Sequence, residues 1–249
     1  MPTEHGGWGF SLEPGLLGIL VAPGVTSVGL AVFALFVFLA DRPTRMVLGD
    51  VYRRRRLPRT NRAAGVAAAY GSVALGGLIL AVATADRTFI WVMAAALPFV
   101  ALQLSLEARG RMRSAVREMA GPIAIASIAA SAAVADGQAV AVALGLWLIL
   151  GLRVVMSVAL VRAQIRRAKG KDPAGNVVAG VHAGGLAIAG GAAVAGVASW
   201  PAFAAIAVLC VWAGIALRVR SVRANIVGVT QMTAGTVVVI LTALGHPPA

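Results

Sequence analysis

The chain has 249 residues, 59% of them apolar, with 22 basic and 9 acidic side chains, and its mean hydropathy is +0.88. An ordinary soluble domain carries about twice its 12% charged fraction, so a water-soluble globule is excluded and a polytopic membrane protein remains. The net charge of +13 does not point to nucleic acid, because the basic residues lie between apolar runs and are not interleaved with stacking aromatics on a soluble fold.

Apolar runs predict spans at about 7–22, 25–40, 63–84, 88–106, 115–135, 138–161, 176–196, 201–217 and 225–244. At about 20 residues per span, nine helices use most of the chain, leaving one integral membrane domain over residues 1–249 and no separate soluble one. A barrel would need alternating polarity, which is absent, and other lipid-exposed backbone must close its hydrogen bonds within helices. The expected fold class is therefore all-α, a polytopic bundle of about nine transmembrane helices. Its 29 glycines and many alanines suit helices packed closely in lipid.

Residues 1–9 have no basic n-region, and Leu12–Val21 ends without a small-residue cleavage site, so no signal peptide is expected. Pro23-Gly24 is a strong local breaker and divides Leu12–Ala40 into two short spans. The alternative is one kinked helix of about 44 Å, which gives eight spans and an external N-terminus.

The basic residues cluster in alternate connections. Residues 41–62 hold Arg42, Arg45, Arg53, Arg54, Arg55, Arg56, Arg59 and Arg62; the second cluster is Arg109, Arg111, Arg113 and Arg117. Residues 162–175 hold Arg162, Arg166, Arg167, Lys169 and Lys171, and residues 218–224 hold Arg218, Arg220 and Arg223. Only Arg87 and Arg153 fall elsewhere. The positive-inside rule places these four segments in the cytoplasm and the C-terminus outside, with the N-terminus inside if there are nine spans. The expected location is the cell membrane.

Ionisable groups within a span are expensive and therefore informative. Glu13 precedes Pro14 in the first span, and Arg153 lies near the middle of the sixth. At 100° per residue, Arg153, Ser157, Leu160 and Gln164 form one stripe leading towards the cytoplasm. That stripe reads either as a cavity wall or as a helix surface fixed by pairing of Arg153 with an acid or a carbonyl. Glu107 and Arg111 have the spacing of a local helical pair. Glu118 stands just before Gly121-Pro122, where it reads as a site residue or as an interfacial ion pair. His182 reads as a packed, hydrogen-bonded histidine, and Gly180 with Gly184 as a helix contact. Cys210 is a small apolar side chain within a span, with no disulfide or metal framework around it. No cofactor and no metal are expected. The segments Val51–Arg62 and Arg162–Lys171 read as attraction to anionic phospholipid head groups, or more sharply as a cavity mouth that holds a phosphate or carboxylate in forked guanidinium donors.

The opening Glu4-His5-Gly6-Gly7-Trp8-Gly9, followed by an apolar helix with Pro14, resembles the EHGxWG opening of the YwiC-like family of bacterial membrane proteins. Arg42-Pro43, Glu107 through Glu118, Arg153 through Arg167, and Asn225-Ile226-Val227-Gly228-Val229 fit the same resemblance. It implies architecture more than chemistry. The layout is also similar to the UbiA prenyltransferase superfamily, which implies nine helices around a lipid-facing cavity, with cytoplasmic loops after the second and sixth helices covering the active site. That superfamily holds magnesium and an isoprenyl diphosphate with NDxxDxxxD and DxxxD motifs. Here the first place offers only Asp41 and Asp50, and the second only Asp172, without the clustered carboxylates that magnesium needs.

Three functions follow as expectations. The first is a protein that binds, and acts on or simply holds, an isoprenoid or other membrane lipid with an anionic head. Its cavity opens to the cytoplasmic leaflet, with His5, Trp8 and Glu13 as one wall, Glu118 opposite, and Arg53, Arg153 and Arg162 as anion ligands. The second is a small-metabolite transporter or exporter. The third is a non-catalytic assembly protein, favoured by a solidly packed bundle with Arg153 locked against an acid.

Overall fold

The structure, a computed structural model, describes residues 5–52, 54, 57–109, 114–218 and 224–246, with side chains for all of these except 5–7, 224 and 225. Among them there are ten helices and no strand: α1 (His5–Val21), α2 (Val25–Tyr52), α3 (Pro58–Thr84), α4 (Phe89–Ala95), α5 (Leu97–Ala108), α6 (Ala115–Ala135), α7 (Val140–Ala168), α8 (Gly175–Val194), α9 (Trp200–Ala216) and α10 (Ala224–Leu244). Each predicted span falls on a helix, and the fourth falls on two. The chain is a multi-pass, all-α membrane protein: seven of these segments are long and apolar enough to cross a bilayer, while α1 and α9 are shorter apolar helices.

The fourth span breaks at Ala96 because Pro98 lies in the first turn of α5, where its missing N–H costs nothing but a continuous helix would lose a bond. Ala96 N–H turns back to the Met93 carbonyl at 3.1 Å, and α5 restarts from there. Gly137, Gly170 and Gly196 follow the ends of α6, α7 and α8 with positive φ, the left-handed stop that glycine takes without a Cβ penalty.

Contacts decide between eight and nine segments at the N-terminus. Trp8 of α1 stacks edge-on against Phe38 of α2 at 5.6 Å. Near the turn, a Cβ on Gly15 would lie 2.9 Å from the Ala31 methyl. Both pairs are centred on Pro23, so α1 and α2 run antiparallel side by side, and the single kinked helix is ruled out. The hairpin of α2 and α3 follows the same logic. Phe36 meets Tyr70 edge-on at 5.8 Å, and Gly29 and Gly77 bring the two backbones together.

Three helices run well past the predicted apolar limits. α2 (28 residues), α3 (27) and α7 (29) each span about 40 Å at 1.5 Å per residue, against a hydrocarbon core of about 30 Å. The surplus is their arginine-bearing ends.

The centre of the bundle is made by α1, α6, α7 and α10. One buried cluster joins Leu17 and Val21 of α1, Ala126, Ala129, Ala130 and Ala133 of α6, Leu146 and Leu150 of α7, and Val239 of α10. Residues 126–133 of α6 are buried without a break, which side chains no larger than alanine or serine at most positions allow by letting neighbours approach on several sides. A second cluster ties α7 to α8, α9 and α10 through Ile149, Met156, Ala189, Ile206 and Val238. α3 stands outermost, packed on α2.

Candidate functional site

Glu13 lies midway along α1 and Arg153 midway along α7, and both are buried, 6% and 1% exposed. A charge at that depth survives only if it is neutralised and hydrogen-bonded. The structure supplies both. Arg153 Nη2 donates to Glu13 Oε1 at 2.8 Å and to the Gln231 backbone carbonyl of α10 at 2.7 Å. Its Nη1 donates to Ser157 Oγ one turn along α7, and the Phe10 ring of α1 lies 5.0 Å from the guanidinium carbon, within cation–π range. Nε is the one side-chain nitrogen of Arg153 without a partner.

Two glycines make the room. A Cβ on Gly9 would come within 2.8 Å of Glu13 Oε1, and one on Gly235 would collide with both the Glu13 carboxylate and Arg153 Nη2. The pair therefore fastens α1, α7 and α10 together at one level, and no larger residue fits at position 235.

The arginine-bearing helix ends carry a second set of ion pairs. Glu107 Oε1 accepts from Arg117 Nε and Nη2 at 2.9 and 2.6 Å, from Gln103 Nε2 at 3.2 Å, and lies 3.2 Å from Arg45 Nη1. One carboxylate thus links α2, α5 and α6, and Arg45 also pairs with Asp41. Arg162 Nη1 donates to Glu118 Oε2 at 2.9 Å, joining α7 to α6. At the base of the α2–α3 hairpin, buried Asp50 accepts from Thr60 Oγ1 at 2.7 Å and from Arg59 at 3.3 Å. These contacts gather the ends of α2, α3, α5, α6 and α7, hence three of the four basic segments, at one end of the bundle.

The expected pocket residues do not share one space. Trp8 and Glu13 are five positions apart, about 140° around the helix, so Trp8 faces α2 while Glu13 faces α7 and α10. They are not one wall. Glu118 does not stand opposite Glu13 either. It meets Arg162 nine residues along α7 from Arg153, about 13 Å away. The side chain of His5 and the whole of Arg53 lie outside the described residues, as does Arg111, so the Glu107–Arg111 pairing falls there too. The stripe of Arg153, Ser157 and Leu160 is buried against other helices, with Gln164 partly so. Two concavities among the described residues lie elsewhere, on α9 and between α8 and α9, and Arg153 lines neither.

His182 is buried, and its Nδ1 meets the Val178 carbonyl at 2.9 Å, as a packed histidine should. The glycine contact expected beside it is absent: a Cβ on Gly180 or Gly184 would meet nothing within 4 Å, so this face of α8 packs on no described helix. Sequence reasoning missed the roles of Gly9, Gly235, Phe10 and the Gln231 carbonyl. Gly9 was visible only as part of a motif, and a backbone carbonyl leaves no signature in sequence at all.

Residues 1–134 match the family described as YwiC-like protein. The chain belongs to this family. The match runs from α1 almost to the end of α6, so it includes Glu13, Glu107 and Glu118 of this YwiC-like chain but stops short of Arg153. No curated protein and no solved structure matches the chain.

Proposed function

We propose that this YwiC-like chain binds an amphipathic lipid with an anionic head group, of the isoprenoid or phospholipid class, at the cytoplasmic leaflet. The surface for the head group is the arginine-rich ends of α2, α3 and α7, and Glu13–Arg153 is the fastener that holds the bundle beneath it. One observation carries this reading. Asp41, Asp50, Glu107 and Glu118 are each already taken up by arginine at that end, while residues 41–62 and 162–175 hold eight and five basic residues against Asp41, Asp50 and Asp172. The excess positive charge is matched by an anionic surface or head group, at about 1 kcal/mol per basic residue.

The UbiA-like layout supports the same end of the bundle, since the two longest basic segments follow the second and sixth spans. It does not support magnesium-dependent prenyl transfer, because Asp41 and Asp50 are engaged with separate partners. The closed Glu13–Arg153 pair, which lines neither of the two concavities, favours a second reading. In that reading the protein is a non-catalytic assembly factor whose basic end recruits lipid or a partner from outside the bundle.

Native mass spectrometry of the protein released from nanodiscs tests the proposal. Phosphatidylglycerol or a prenyl monophosphate is retained in preference to phosphatidylcholine, and Arg54→Gln, Arg62→Gln and Arg166→Gln together reduce that preference by at least tenfold. Equal retention of charged and zwitterionic lipids refutes it. Head-group preference without any retained tail-specific lipid supports the assembly reading instead.

A further inference from the structure

His182 lines a groove of about 320 Å³ between α8 and α9, together with Val178, Ala183, Leu186, Cys210 and Gly214. The residue is 6% exposed. Its Nδ1 faces a backbone carbonyl at 2.9 Å, and a carbonyl only accepts, so Nδ1 carries the proton. In the neutral ring Nε2 then holds a lone pair. That atom has no hydrogen-bond partner among the described residues. It is also absent from the polar atoms that are both fully enclosed and unsatisfied, and the residue lines the groove, so Nε2 keeps some access. Cys210 Sγ turns its weak donor to the His182 carbonyl at 3.4 Å and does not compete for Nε2.

The rest of the lining is apolar. A Cβ on Gly214 would meet nothing within 4 Å, so the groove has open space at the wall opposite His182. His182 is seven residues into α8 from its cytoplasmic start, about 10 Å deep, below the head-group zone and within reach of the acyl region. A fixed acceptor at that depth has no water to satisfy it. The complement is an apolar molecule with a hydroxyl donor buried below the phosphate level.

We propose that the α8–α9 groove is a binding site for a membrane-dissolved hydroxyl amphiphile, a prenylated hydroquinone or a prenol, whose O–H donates to His182 Nε2 while its tail lies along Ala183 and Gly214. This site is separate from the arginine-rich end and does not depend on that reading, because the ligand here carries no charge.

Equilibrium binding to the full-length protein in phosphatidylcholine nanodiscs tests it, with three probes: a short-chain prenyl hydroquinone, its dimethyl ether, and a prenol of equal chain length. The ether matches the hydroquinone in shape and apolarity but cannot donate. Hydroquinone binding at least tenfold tighter than the ether supports the proposal. Binding of the prenol at the hydroquinone's level assigns the site to alcohols generally, and weaker prenol binding assigns it to hydroquinones. His182→Phe removes the preference for the donor, His182→Gln restores part of it through the amide oxygen, and Gly214→Leu fills the groove and abolishes binding of all three. Gly214→Leu enters open space and improves helix propensity, so it folds. Equal affinity for hydroquinone and ether in the unmodified protein overturns the proposal, whatever the variants do, as does tight binding that survives Gly214→Leu.

Discussion

Glu13→Gln is the sharpest single perturbation of this bundle, because it removes a charge and almost nothing else. The Glu13 oxygen lies 2.8 Å from Arg153 Nη2. At an effective dielectric of about 20, a unit charge pair at that distance is worth about 6 kcal/mol. The glutamine keeps one acceptor, and Arg153 keeps Ser157 and the Gln231 carbonyl, so part of the interaction survives. Breaking a buried pair from one side costs about 3–5 kcal/mol, and the expected loss lies there. Glu13→Leu with Arg153→Met leaves no orphaned charge and costs less than either single change. Unfolding in mixed dodecylmaltoside and SDS micelles, followed by the fluorescence of the five tryptophans, gives all four corners of the cycle. A Glu13→Gln loss below about 1 kcal/mol, or a cycle with no coupling, would refute the fastener.

The other consequences are briefer. Glu118→Gln breaks a pair whose side chains are 36% and 41% exposed, so the same unfolding assay shows a loss of no more than about 1 kcal/mol, reduced further by salt. Gly77→Ala drives a Cβ to 2.6 Å from the Gly29 carbonyl oxygen, separates α2 from α3 and costs about 1–3 kcal/mol. Gly184→Ala enters open space and raises stability by about 0.5–1 kcal/mol. With Cys210 replaced by alanine, a cysteine at Asp86 or Asp136 reacts with a membrane-impermeant maleimide on intact cells, while one at Arg62 or Arg166 reacts only after permeabilisation. The reverse pattern overturns the orientation inferred from the arginines.

The spans were legible because twenty apolar residues leave the backbone no alternative in lipid, and every predicted run found its helix. The limits were legible only on the apolar side. Hydropathy stops reading at Ala40 and at Val161, but Asp41, Arg45, Arg162 and Arg166 are sound helix formers or tolerated there, and the helices continue to Tyr52 and Ala168. Glu13 and Arg153 each stood out alone as charges in the wrong solvent. Their partnership did not, since no periodicity connects residues on different helices. At Glu107 spacing pointed only to Arg111, which lies outside the described residues, and gave no sign of Arg117 and Arg45, which meet the carboxylate from other helices. Local spacing misled at Gly180 and Gly184, whose separation is that of a helix contact although no described helix meets them. Spacing reports which residues share a face, and only packing reports what that face touches.

The separation of Glu13 from its guanidinium partner has a consequence for biosynthesis. The two are 140 residues apart in sequence, so at about 5–20 residues per second a ribosome needs roughly 7–28 s to make the second after the first. Throughout that interval the first helix carries an acid without its counter-ion and has reason to linger at the bilayer surface or beside the translocon. Its final seating then waits for the seventh helix to arrive, which makes the N-terminus among the last parts of this protein to settle.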